Sequence, residues 1–190
     1  MASSTVPSGA FWATLTAAAK SPPDGYTLFV TTNTSHSANP FLFKKLPYDP
    51  IKDFTPIAGI MIIPVIVVVD PKLPINSMQE LIAYTKANPG KVNFGSGSNG
   101  SAGHLAGELF KMETGNDVAH IPYKGAGPSF IALMGGEYHY NFGGLAGGLP
   151  LARAGKLRAI AVTTEKRIPR YEDIPTVKAS GLPNFVVVGW

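Results

Sequence analysis

The stretch from Lys91 to Phe110, KVNFGSGSNGSAGHLAGELF, holds the residues best suited to chemistry, with Ser98, Asn99, Ser101 and His104 set among Gly95, Gly97 and Gly100. It reads as a strand, a Gly/Ser-rich turn and the first turns of a helix, an order that aims main-chain N–H groups at one point. Hydroxyls and free N–H groups at a helix start hold an anion, such as a carboxylate, without any proton transfer. Ser101 alone is most simply an N-cap. His104 falls in the first helical turn, where it either donates to a ligand or packs over the turn.

Other chemistries fit the same residues less well. Gly95, Gly97 and Gly100 match G-x-G-x-x-G, so a nucleotide bound at the Gly95–Gly100 turn is the rival reading. A dinucleotide fold wants an acid at the end of the next strand. Here Asp117 comes before the strand Val118–Tyr123, and Lys124 follows it. No Gly-Lys-Ser/Thr follows the glycines, which removes a P-loop. No G-x-S-x-G elbow surrounds Ser96, Ser98 or Ser101, and no acid is placed to orient His104, which argues against a hydrolase. His36, His120 and His139 lack ligand spacing, so no metal or other cofactor is expected. His120 and His139 read as structural positions on strands.

Composition agrees with a binding role. The chain has 190 residues, 45% hydrophobic and 15% charged, long enough for a core without disulfides. Cysteine is absent, which excludes thiol chemistry. The formal charge of +4 comes from scattered cations, a poor match to a nucleic-acid surface and a better one to small anions. The longest apolar run, Ile57 to Val69, is broken by Gly59 and Pro64 and reads as two buried strands. AFWATLTAAAK has the length of a signal-peptide core without a basic segment before it, and reads as an amphipathic helix.

The elements that must position the turn follow in order. A helix over Phe11–Lys20 stops at Ser21-Pro22-Pro23, and Tyr26–Thr31 is a strand followed by the polar loop Thr32–Asn39. Pro40–Lys45 makes a helical turn. Ile57–Ile63 and Val65–Val69 are strands covered on both faces. Ser77 and Glu80 have capping-box spacing ahead of a helix that ends at Asn88-Pro89-Gly90. The helix after the focal turn shows Ala102, Leu105, Ala106, Leu109 and Met112 on one face, with Gly115 at its C-cap. Strands at Val118–Tyr123, Tyr138–Phe142 and Leu157–Thr163 alternate with helices at Pro128–Met134 and Leu149–Ala154. A helical turn at Thr176–Ala179 and a strand at Phe185–Val188 close the pattern. Such alternation calls for parallel pairing, with the glycine turns at Gly95, Gly125 and Gly143 on one edge, where α/β sheets bind ligands.

PPDGYTLFVTTN, NPFLFKKLPYDPIKDFTPI, KVNFGSGSNGSAGHLAGELFKMETG, HIPYKGAGPSFIALMGGE and AGKLRAIAVTTEKRIPRYEDIPTVKASGLP resemble successive segments of the Bug/TctC extracytoplasmic solute receptors of tripartite tricarboxylate transporters. The resemblance implies an α/β fold like that of type II periplasmic binding proteins, with two Rossmann-like lobes that close on a carboxylated solute without catalysis. Residues 1–70 and 184–190 would form an incomplete first lobe and residues 71–183 the second. Thr32 and Ser35 would lie on the first-lobe side of the cleft, Ser98, Asn99, Gly100, Ser101 and His104 on the second. The loop Gly143–Gly147, with Gly144, would form a further wall. Where the family commonly has Phe-Asp-Asn-Leu this chain has Phe142-Gly143-Gly144-Leu145, so an acid that would meet a ligand's amino group is absent; His139 also replaces a frequent Asp. The resemblance also implies a periplasmic location, membrane components of a tripartite transporter as partners, weak ligand affinity in this chain, and self-association through unpaired strand edges.

Overall fold

The computed structural model describes residues 10–190. They divide into two units, one running to Met61 and including Trp190, the other spanning Ile62–Gly189.

In the first unit, helix α1 (Ala10–Ala19) stops ahead of the paired prolines, as their lost N–H groups require. The expected loop at Thr32–Asn39 is helical from Thr34, a π-helical turn (Thr34–Ala38) continuing into the short α2 (Asn39–Leu42) with Pro40 in its first turn. Tyr48 fixes this turn from below. Its hydroxyl donates to the Ser35 carbonyl at 2.6 Å and accepts from Asn39 Nδ2 at 3.1 Å. Phe54 packs against Phe29, His36 and Tyr48. The expected strand Tyr26–Thr31 does not form, since the segment pairs with nothing among the described residues, and Tyr26, Leu28 and Val30 are 70–92% exposed. The strand expected over Ile57–Ile63, covered on both faces, likewise does not form before Ile63, and Ile57, Ile60, Met61 and Ile62 stand in solvent. An apolar period marks a face, and a strand also needs a neighbour to bond.

The second unit is a mixed sheet with helices on both faces. Its elements are β1 (Ile63–Val69), α3 (Met78–Ala87), β2 (Asn93–Ser96), α4 (Ala102–Thr114), β3 (Ala119–Pro122), α5 (Ala126–Met134), β4 (Tyr140–Gly144), α6 (Leu145–Arg153), β5 (Arg158–Val162) and β6 (Val188–Gly189). A 3₁₀ turn at Lys178–Ser180 lies between the last two strands. The order is β3-β2-β4-β1-β5, with β6 paired to the start of β1. β2 runs parallel to β3 and β4, but β1 runs antiparallel to both β4 and β5. The all-parallel expectation therefore fails at β1. It holds among β2, β3 and β4, whose carboxyl ends share one edge.

β1 is the centre of the core because its alternate residues serve opposite faces. Val65, Val67 and Val69 join Phe94, Phe110, Tyr140 and Phe142 beneath α3 and α4. Ile66 and Val68 join Phe130, Leu133, Tyr138 and Leu149 beneath α5 and α6. Ser77 caps α3 through the Glu80 N–H, and Gly115 closes α4 in the left-handed conformation (φ 67°). The face of α4 differs from the expected one. Gly103, Ala106, Gly107 and Phe110 are buried, while Met112 is 80% exposed and Leu105 faces outward. A Cβ on Gly103 would overlap the Phe142 carbonyl oxygen, and one on Gly107 would overlap the Phe94 ring. Two glycines one helical turn apart thus let the helix lie directly on β2 and β4. The last two helices also shift, since α5 starts at Ala126 with Pro128 in its first turn, and α6 begins at Leu145 directly after β4.

One core atom is out of place. The Tyr140 hydroxyl is buried without a partner among the described residues, and burial pushes its pKa well up. Tyr140→Phe removes a polar group that gains nothing, so it should stabilise the fold by about 1 kcal/mol, read as a higher urea midpoint at unchanged m-value.

Candidate functional site

The focal turn leaves β2 at Ser96 and enters α4 at Ala102, on the edge where β2, β3 and β4 end. Its conformation is held by one carbonyl. The oxygen of Ser98 accepts from Ser96 Oγ at 3.0 Å, Ser101 Oγ at 2.8 Å and Ser101 N–H at 3.3 Å. Ser101 also caps α4, its Oγ accepting from the His104 N–H at 3.2 Å. The Gly100 N–H donates to Nδ1 of His104 at 3.0 Å, so His104 folds back over the turn.

His104 stacks on His120 of β3, ring centres 4.1 Å apart, and His120 stacks in turn on Phe94 at 4.8 Å. Burial lowers the pKa of both imidazoles, that of His120 to about 4, with the neighbouring His104 and Lys111 adding to the effect. Glu108 opposes the shift at His104, 3.9 Å from its Nε2, but also engages Lys111 at 3.0 Å. Both rings are therefore neutral near pH 7.

Ser96 and His120, with Oγ and Nε2 2.8 Å apart, have the spacing of a nucleophile and its base. They do not act as one. Ser96 is fully buried and gives its single hydroxyl hydrogen to the Ser98 carbonyl, so His120 Nε2 must be the donor and cannot take a proton there.

What the turn leaves available is on its outer side. The Ser98 hydroxyl and the Asn99 amide are exposed and make no hydrogen bond among the described residues. The Ala102 N–H, at the start of a 13-residue helix, has no helical carbonyl behind it, while Gly103 next to it is buried against β4. Gly144, the last residue of β4, is part-buried on the same sheet edge. In the first unit Thr32 is exposed, whereas Ser35 is fully buried with its hydroxyl 2.7 Å from Thr31 Oγ1.

Each glycine of the G-x-G-x-x-G match has a reason unconnected with a nucleotide. A side chain at Gly95 would strike the Tyr138 ring, one at Gly97 would press on the start of α5, and Gly100 has φ 75°. Tyr138 is itself fixed, its hydroxyl donating to the Ser129 carbonyl and accepting from Asn141 Nδ2, both at 2.6 Å. Asp117 precedes β3, so parallel pairing puts it on the edge opposite the turn. Among the described residues no cluster of three or more His, Asp or Glu can hold a metal, and no helix is long and apolar enough to cross a membrane.

The sequence reading missed Ser96 and His120 as members of this constellation. Their link exists only through the parallel register that sets Phe94 beside His120, and nothing in the spacing of the chain announces it.

A mixed α/β unit whose parallel strands bring glycine turns to one edge, next to a helix start, is the architecture that the solved structures superposing on the chain share, among them a periplasmic transporter and the periplasmic binding protein BugD. Residues 7–190 match the model of the tripartite tricarboxylate transporter family receptor, and the chain belongs to that family. It is 37% identical to protein BugT of Bordetella pertussis over 175 residues, 92% of this chain and 54% of BugT. It is similar to Rpa4515 of R. palustris, solved with adipate (TM-score 0.90, 36% identity, 94% of this chain and 60% of that one). It is also similar to MatC of Rhodopseudomonas palustris, solved with bound malate (TM-score 0.84, 32% identity, 93% and 60%). The chain spans about half the length of the curated relatives it matches. The family is one of solute receptors, not of enzymes.

Proposed function

We propose that this chain is a carboxylate-binding part of a periplasmic receptor that delivers its solute to the membrane components of a tripartite transporter. The observation that carries the reading is the open donor set of Ser98, Asn99 and the first turn of α4, which matches a carboxylate in charge and geometry. Adipate on Rpa4515 and malate on MatC support the same ligand class. Ser101 and His104 shape the turn, Gly100 supplies its left-handed bend, and Gly144 forms a small wall on the same edge. Within the first unit, Ser35 orders the loop that carries the exposed Thr32 hydroxyl. The segment Phe142-Gly143-Gly144-Leu145 has no acid to meet an ammonium group, so malate should bind in preference to aspartate.

Amide shifts in a titration test this reading. Malate and adipate should move the Ser98–Gly103 resonances with a Kd of about 1 mM or weaker, aspartate less. Shifts at those amides with NAD, FAD or ATP and none with dicarboxylates would establish the nucleotide reading instead.

Self-association is the second part of the proposal. Tyr26, Leu28 and Val30 stand exposed on a segment that has no strand partner among the described residues, and Ile57, Ile60 and Met61 leave a second apolar stretch open. Sedimentation should show a concentration-dependent oligomer that Leu28→Lys with Ile60→Lys returns to monomer. A wild-type chain that stays monomeric at about 100 μM, where a contact of Kd near 10 μM would be mostly formed, removes this part.

A further inference from the structure

We infer that His120 is a positioning residue for the carboxylate-binding turn, acting through two arms that converge on Ser98 and Gly100. The inference rests on the proposed binding role of that turn and deepens it.

The first arm is a hydrogen-bond relay. Because Ser96 donates to the Ser98 carbonyl, it can only accept from His120, which must carry its proton on Nε2. That bond orients the Ser96 hydroxyl toward the carbonyl around which the turn is wound. The second arm is the stack. His120 lies between Phe94 and His104, and it holds the His104 ring where Nδ1 faces the Gly100 N–H. Since Nδ1 of His104 accepts, its proton too must be on Nε2, on the side of Glu108. One ring on β3 thus sets both a hydroxyl and an imidazole on the neighbouring strand–turn–helix. The ligand need never touch it.

The location explains why a histidine suits this position. Phe would continue the stack without a donor, and Gln would supply a donor near the Nε2 position without the stack. Each substitution therefore separates one arm from the other.

Three measurements on the full chain test this. Long-range ¹⁵N spectra of the imidazoles near pH 7.5, with no ligand present, should show His120 and His104 as Nε2–H tautomers; a proton on Nδ1 of His120 would overturn the relay. His120→Phe should shift the ligand-free Ser98 and Gly100 amides and weaken malate or adipate binding about tenfold, while His120→Gln should restore most of the relay and bind within about threefold of wild type. Wild-type affinity and unchanged amide positions in His120→Phe, with a far-UV spectrum like wild type, would overturn the positioning role. If no dicarboxylate binds the wild-type chain, the ligand reading fails on its own, and the tautomers and ligand-free shifts still decide whether His120 sets the turn.

Discussion

Gly103→Ala should destabilise the second unit by about 3 kcal/mol, a Tm fall of roughly 10 °C for a unit of this size. A Gly-to-Ala change within a helix ordinarily stabilises by about 0.5–1 kcal/mol, because alanine loses less backbone freedom on folding. Here the added methyl would meet the carbonyl oxygen of Phe142, a main-chain atom of central strand β4 that cannot rotate away. Either α4 lifts off the sheet or β4 bends, and each opens the packing of Phe94, Phe110 and Phe142. Ligand response should be lost with stability, since the start of α4 carries the open Ala102 N–H. Gly127→Ala supplies the contrast. Gly127 is in the first turn of α5, where an added methyl would have nothing within 4 Å and φ is not positive, so the same change should be neutral or mildly stabilising. Equal Tm values for the two variants would show that the close approach of α4 to β4 is not what fixes the helix.

This pair also marks the boundary of what sequence patterns convey. The ends of α4 are plain in the sequence, Ser101 before it and Gly115 after it, because caps are local chemistry. Its face is not. Hydrophobic periodicity weighs side chains and selects Leu105 and Met112, whereas the buried face is set by glycines at 103 and 107, which bring backbone rather than side chain to the contact. A small-residue spacing of four is the available sign.

Strand pairing divides in the same way. The run Val65–Val69 announces a strand buried on both faces, and the sheet places it so. Alternation of strand and helix correctly implies that β2, β3 and β4 share one direction, since each is followed by a helix that returns the chain. It carries no information about β1, which enters between β4 and β5 in the opposite sense. Of the candidate site, Ser98 to His104 is legible from composition at a helix start. Ser35 stands out in the sequence for its hydroxyl, and the structure spends that hydroxyl on Thr31; only a tertiary contact from Tyr48 reveals why its neighbourhood is buried.

Acidification should loosen the same region, and the sign follows from the direction of the histidine shifts. His120 has a folded pKa of about 4 against an ordinary value of 6.5, so between these values the unfolded chain binds more protons than the folded one. Stability is complete above about pH 6.5, falls as pH drops through this window, and stops falling from this source below about pH 4. A shift of that size corresponds to about 3 kcal/mol, and partial exposure of the ring reduces the expected loss to about 2 kcal/mol. His36, His104 and His139 are lowered by burial as well and act in the same sense. The lowered carboxyls of Asp49 and Asp173 act only below their ordinary value of 3.8, so they leave this window clear. The local consequence is specific. A protonated His104 carries a hydrogen on Nδ1, can no longer accept from Gly100, and must release the turn. Urea unfolding at fixed ionic strength near pH 7.5, 5.5 and 4.5 should therefore show a declining midpoint, and His120→Gln should flatten the decline by removing the largest contributor. The Gly100 amide should shift over the same range. A midpoint that is constant across it, or a decline that His120→Gln leaves unchanged, would mean that the stacked imidazoles do not couple proton binding to the fold.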